Sequence, residues 1–234
     1  NVGQRTPTIN ITAQNITVGE DGNITVKVPA NATGYVIIEI IGGDTYFKNV
    51  TNGQAAVYPQ NLKVGNYTVR ATYYGISTDN YTVNTAEANF TVKPIEDYNI
   101  TVIANNITYG ENATVIVTLP SDATGNVTIY IDGVNRGTVN ITNGIATLTD
   151  IAGLKAGQHE VNVTYNGNER YASKDKNGTI FHVLPTDDWT LDIDVEAHKY
   201  GEDTIITVTL PENAKENVTL EIDGVNYTVK LTDG

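Results

Sequence analysis

Cysteine and methionine are absent from the 234 residues, tryptophan occurs once and serine three times. Without cysteine there is no disulfide, no thiol nucleophile, no zinc held through sulfur and no iron–sulfur cluster. Basic residues are scarce: 14 Lys and Arg stand against 27 Asp and Glu, a formal charge of −13. Phosphate backbones are bound by clustered cations, so the balance argues against nucleic acid as a partner. Long apolar runs are missing too. No stretch approaches the roughly 18 residues of a membrane-spanning helix, and the run Val36 to Ile38 ends at Glu39. The chain opens at Asn1 with no charged region leading into an apolar run, so no signal peptide is read here. The expectation is an excised piece of a longer protein, with any export signal or anchor outside it.

What is present is a repeat. Gly19-Glu20-Asp21, Gly110-Glu111-Asn112 and Gly201-Glu202-Asp203 recur at a spacing of 91, as do Pro29, Pro120 and Pro211. The triplets Ile24/Val26/Val28, Val115/Val117/Leu119 and Ile206/Val208/Leu210 keep that spacing. So do Val36/Ile38/Ile40, Val127/Ile129/Ile131 and Val218/Leu220/Ile222. Tyr73 pairs with Tyr165 at 92, and Phe90 with Phe181 at 91. The expected organisation is a first module over 1–94, a second over 95–185, and the first four strands of a third over 186–234.

Each triplet alternates apolar with polar residues, the period of a half-buried strand. Tight-turn pairs separate the runs: Gly42-Gly43, Asn52-Gly53, Asp132-Gly133, Asn143-Gly144 and Asp223-Gly224. In the first module, strands are expected near 9–18, 23–29, 34–41, 45–50, 54–58, 66–74 and 87–93. Seven short strands in about 90 residues predict an all-β immunoglobulin-like Greek-key sandwich, repeated in tandem. Leu62 to Val69 has the spacing of a tyrosine corner, with Tyr67 two residues before Val69, where antibody domains place cysteine. In the second module His159 replaces that tyrosine and Val161 holds the core position.

Tyr109-Gly110-Glu111-Asn112-Ala113-Thr114-Val115, continuing through Val117 and Leu119-Pro120, resembles the tandem Ig-like repeats of archaeal adhesin-like surface proteins, many of them from methanogens. Ala123-Thr124-Gly125 with Val127, and Gly157 with Val161, Val163, Tyr165, Gly167 and Tyr171, extend the resemblance along the chain. It implies extracellular display at a cell surface and names no ligand.

About 49 residues cannot build a self-sufficient sandwich. The third module is therefore expected to be poorly ordered, or completed by strand swapping with a second chain. Asn-x-Thr occurs 17 times: at Asn10, Asn15, Asn23, Asn31, Asn49, Asn66, Asn80, Asn89, Asn99, Asn106, Asn112, Asn126, Asn140, Asn162, Asn177, Asn217 and Asn226. With 27 Asn and 37 Ser plus Thr, chance placement gives about four. Strand alternation raises that by a factor of about two at most. The excess makes these asparagines candidates for N-glycosylation; the alternative is an Asn- and Thr-rich strand surface.

Catalytic chemistry finds no footing. His159, His182 and His198 align with Tyr67, Thr91 and Ile107, and share no ligand spacing. Ser77, Ser121 and Ser173 fall in loops without a nucleophile elbow, and Asp192 and Asp194 alternate on one strand. The chain is expected not to be an enzyme and to need no cofactor. Acidic linkers recur as Pro94-Ile95-Glu96-Asp97-Tyr98 and Pro185-Thr186-Asp187-Asp188-Trp189. The module topology would bring Glu20, Asp21, Glu96, Asp97 and Asp122 toward one junction, where they would suit calcium. Tyr98 and Trp189 would then pack between modules. The leading expectation is a stalk, spacer or adhesive module, with an unidentified surface protein or glycan as partner. The second is a carbohydrate-binding module, using Tyr46, Phe47, Tyr58, Tyr74 and Tyr81 as a stacking platform.

Overall fold

The computed structural model describes residues 3–76, 80–187, 189–212 and 214–232. Ser77, Asp188 and the Asp233-Gly234 turn lie outside the described residues. Among the described residues there are twenty strands and no helix.

The first sandwich contains β1 (Asn10–Ala13), β2 (Ile16–Thr17), β3 (Ile24–Lys27), β4 (Tyr35–Ile40), β5 (Thr45–Asn49), β6 (Gln54–Val57), β7 (Gly65–Tyr74) and β8 (Asn84–Lys93). One sheet runs β1-β3-β6 and the other β2-β8-β7-β4-β5. The expected first strand is split. β1 pairs antiparallel with β3, then the chain changes sheet so that β2 lies parallel to β8. The Asn15 side chain holds the crossing, its Oδ1 accepting the Thr91 N–H at 2.7 Å.

The second sandwich repeats this with β9 (Thr101–Ala104), β10 (Ile107–Thr108), β11 (Ala113–Thr118), β12 (Asn126–Ile131), β13 (Val134–Asn140), β14 (Ile145–Ile151), β15 (Gly157–Tyr165) and β16 (Lys174–Leu184). Its sheets run β14-β11-β9 and β10-β16-β15-β12-β13. Asn106 repeats the crossing bond, accepting the His182 N–H. Neighbours in each sheet are mostly not neighbours in sequence, which is the Greek-key signature. The chain thus carries immunoglobulin-like Greek-key β-sandwiches in tandem.

Burial follows the alternation. Ile24, Val26, Val36, Ile38, Ile40, Val69, Ala71, Tyr73, Phe90 and Val92 are buried in the first core, and Val115, Val117, Val127, Ile129, Ile131, Val161, Val163, Tyr165, Phe181 and Val183 in the second. Val69 and Val161 are 0% exposed, so aliphatic packing occupies the site of the antibody cysteine. Each such side chain contributes about 1.5–3 kcal/mol on burial. Tyr67 closes the predicted corner, its hydroxyl donating to the Lys63 carbonyl at 2.8 Å while its ring stacks on Phe90. Tyr73 and Tyr165 span the core and donate to the Thr33 and Thr124 carbonyls.

The Asn-Gly turns do more than reverse the chain. Asn143 and Gly144 both have positive φ, and a Cβ on Gly144 would stand 2.7 Å from the Pro120 carbonyl oxygen. Gly53 is in the same position against Val28, Pro29 and Ala30.

The third unit holds β17 (Asp192–Val195), β18 (Ile206–Thr209), β19 (Asn217–Ile222) and β20 (Val225–Lys230), as two separate two-stranded sheets. No described residue from 186 to 232 is buried. Ile193, Val195, Tyr227 and Val229 are more than half exposed, although their alternation marks strands.

Two outcomes follow. Gly144→Ala should destabilise the second sandwich by about 2 kcal/mol or more, read as a lowered denaturant midpoint; an unchanged midpoint would contradict the close approach. Limited proteolysis should cut within residues 190–232 before it nicks either sandwich, and equal resistance along the chain would contradict the open third unit.

Candidate functional site

The recurring acidic loops are turn caps. Glu20 Oε2 accepts the Thr17 N–H at 2.7 Å, and Glu111 accepts Thr108 N–H at the same distance. Glu202 accepts the Lys199 N–H at 3.1 Å. A carboxylate three residues on thus satisfies a backbone donor, at the ends of β2 and β10 and in the loop between β17 and β18, which explains why glutamate recurs there. Asp21 takes a hydrogen bond from Gln60. Asp122 accepts the Tyr171 hydroxyl at 2.6 Å and pairs with Arg170 Nε at 3.1 Å. That hydroxyl, with the Arg170 charge, holds the Asp122 carboxyl below its ordinary range. Glu96 and Asp97 are exposed beyond Ile95, which bridges to Tyr171. Among the described residues no three His, Cys, Asp or Glu side chains gather closely enough to hold a metal ion.

Tyr98 does not pack between modules. It is buried in the second core, edge-on to Tyr165 and Tyr171, and the Lys174 ammonium lies 4.8 Å above its ring. Burial, with Tyr165 nearby, pushes its phenol up to about 12. Trp189 is half exposed.

The five platform aromatics scatter. Tyr46 turns inward against the first core, and Tyr58 lies at the end of β6. Tyr81 is the counterpart of Tyr171: its hydroxyl donates to Asn31 as Tyr171 donates to Asp122. Phe47 and Tyr74 remain, and Tyr35 joins them. Tyr35 stacks on Phe47 at 4.3 Å and on Tyr74 at 5.1 Å, with interplanar angles of 27° and 15°. Rings lying side by side in one plane cannot approach so closely, so both faces of Tyr35 are covered by rings. Phe47, on the edge strand β5 and 61% exposed, ends the stack. In the second sandwich the matching positions are Asn126, Thr138 and Asn166, and Asn166 donates to Asn126. Tyr35 escapes sequence reasoning because only strand register reveals which aromatics adjoin it.

His159 is the other departure from the repeat. It occupies the corner of Tyr67 and stacks on Phe181. Its Nε2 meets the Lys155 carbonyl at 2.8 Å and its Nδ1 meets Asp132 Oδ2 at 2.6 Å. Both partners accept, so both nitrogens donate only when the ring is an imidazolium. Asp132 also accepts the Glu160 N–H. Burial pulls the His159 pKa down, but the Lys155 carbonyl and the hydrogen bond and charge of Asp132 outweigh it, despite Arg136 nearby, and the pKa stands above 6.5. Burial raises Asp132, while the Glu160 N–H and His159 bring it below its ordinary value. The other two histidines, His182 and His198, are exposed, as are Ser121, Ser173, Asp192 and Asp194.

Residues 100–183 match the family model of the bacterial Ig-like domain (group 3). No curated protein matches the chain. Among solved structures, the fibronectin(III)-like modules of Clostridium thermocellum CbhA are 18% identical over 83% of this chain and 100% of theirs, with a TM-score of 0.33. The ICAM-5 D1–D4 ectodomain fragment is 15% identical over 96% of this chain and 75% of its own, with a TM-score of 0.40. At these scores neither adds to the fold already described.

The His159–Asp132 pair has a pH signature. A histidine whose pKa rises on folding stabilises the fold fully below its unfolded value, and that contribution disappears as pH climbs through the folded pKa. Asp132, with a depressed pKa, contributes above its unfolded value and loses this in acid. Thermal melts should therefore show the second sandwich weakening as pH climbs above the ordinary histidine value of about 6.5. His159→Tyr should flatten that decline, because a phenol there repeats the Tyr67 bond. An alkaline decline that persists in the variant would contradict the assignment.

Proposed function

We propose that the chain is a non-catalytic structural element of an extracellular, cell-surface protein of the archaeal adhesin-like type its repeats resemble, serving as a stalk that spaces a binding region from its anchor. Ig-like modules of the kind matched by residues 100–183 are commonly extracellular structural or adhesive units and typically non-catalytic. The observation that carries the reading is that recurring polar residues serve the fold. Glu20, Glu111 and Glu202 cap turns, Asn15 and Asn106 hold strand crossings, and Tyr73 and Tyr165 span cores. No described helix is long and apolar enough to cross a membrane.

Carbohydrate binding draws less support from this geometry. Sugar stacking uses open ring faces, and the stack of Tyr74, Tyr35 and Phe47 spends its inner faces on itself. Phe47's outward face is left, on an edge strand.

The stalk reading expects the purified chain to be silent on a glycan array, with Phe47→Ala no different. On cells displaying a tagged tip domain, deleting residues 95–185 should reduce antibody access to the tip while soluble chain fails to compete with adhesion. Competition by the soluble chain, or glycan binding lost in Phe47→Ala, would overturn the spacer role.

A further inference from the structure

The 17 Asn-x-Thr triplets stop being equivalent once the chain folds. Two of them lie face to face. Asn66 of β7 stands opposite Thr91 of β8, and Thr68 opposite Asn89. The Thr91 hydroxyl donates to Asn66 Oδ1 at 2.9 Å, and the Thr68 hydroxyl to Asn89 Oδ1 at 2.8 Å. Each triplet therefore ties up the threonine of the other. Antiparallel pairing explains the arrangement: Asn and Thr two residues apart share a face, and reversing the partner strand sets Asn against Thr. Elsewhere Asn15, Asn106 and Asn162 accept backbone N–H groups.

Asn177-Gly178-Thr179 is different, and the repeat shows how. β7 and β8 pair without a break from Gly65↔Val92 to Tyr73↔Asn84. Their counterparts β15 and β16 slip by one residue between Val161↔Thr179 and Val163↔Lys176. Asn177 and Gly178 together oppose Asn162, which is a β-bulge. Gly178 takes φ of +82°, has open space where a side chain would stand, and gives its N–H to Asn162 Oδ1 at 2.9 Å. β10, the other neighbour of β16, reaches only Val183 and Leu184, so the bulge lies on a free edge. Asn177 is exposed there, and among the described residues no hydrogen bond holds its amide. The first sandwich has Ala86-Glu87-Ala88 in this region, unbulged and without a triplet.

We propose that Asn177 is an acceptor for an N-linked glycan on the folded chain, presented by the inserted bulge, while Asn66 and Asn89 serve the sheet. The donor is a lipid-phosphate-linked oligosaccharide, supplied with an oligosaccharyltransferase. The Asn177 Nδ2 forms the bond to sugar C1, the C1–O bond to the lipid phosphate breaks, the phosphate departs with the bonding pair, and the amide proton passes to a base of the transferase. A transferase must grip an extended or turned triplet with its threonine hydroxyl free. The bulge offers one without opening the sheet. The occurrence of this modification in the organism rests on the extracellular reading; the acceptor geometry does not.

The test is reconstituted transfer onto the folded 234-residue chain, with site occupancy read by peptide mass spectrometry. Asn177 should exceed Asn66 and Asn89 by about tenfold or more, because the latter need local opening of paired strands. In chain denatured beforehand the three should become comparable, and Thr179→Val should abolish transfer at Asn177. Equal occupancy of the three sites on folded chain, or a bare Asn177 beside a modified Asn66, would overturn the proposal. Protein isolated from its own organism tests the placement separately: Asn177 modified in reconstitution but bare there would count against extracellular exposure and leave the geometry standing.

Discussion

Everything in this chain depends on two sheets covering each other's apolar face with no covalent bond between them. Val69 and Val161 stand at full burial where an antibody domain would put a cysteine. The folded state must then rest on area removed from water, and every inward position of β3, β4, β7 and β8 must be filled. The third unit shows the converse. Its strands carry the same alternation, yet Ile206, Val208, Val218 and Leu220 are only partly buried, and Ile193, Val195 and Val229 stay more than half exposed.

Polar chemistry is organised around the same constraint. A sandwich leaves backbone donors at strand ends and at the crossing between sheets, and each must find an acceptor. Glu20, Glu111, Asn15 and Asn106 supply those acceptors at equivalent places. The recurrence of acidic and amide residues therefore reflects satisfaction of the backbone as much as any surface role. Where the two sandwiches differ, they differ locally: an aromatic stack against an amide pair, a tyrosine corner against a histidine one, and a bulge inserted in β16.

The histidine corner illustrates how one substitution changes physics without changing architecture. Tyr67 donates one hydrogen bond to the Lys63 carbonyl. His159 makes the same bond to Lys155 and adds one to Asp132, which couples the corner to protonation. The ring still stacks on the phenylalanine of the neighbouring strand in both sandwiches.

Alternation and repeat spacing alone determined the β class, the tandem organisation, the core rows and the tyrosine corner, because side chains two apart must share a face. The cap role of Glu20 was not legible, since its partner is a backbone N–H rather than a residue type. The aromatic stack was only half legible: Phe47 and Tyr74 were singled out, but Tyr35 joins them through register between β4, β5 and β7. Tyr98 looked like a linker residue and became part of a core, because its ring packs edge-on against Tyr165 and Tyr171. The count of Asn-x-Thr triplets belonged to the sequence. Which of them face one another, and which one is lifted out on a bulge, was decided by strand pairing, for only pairing brings residues 25 apart within a hydrogen bond.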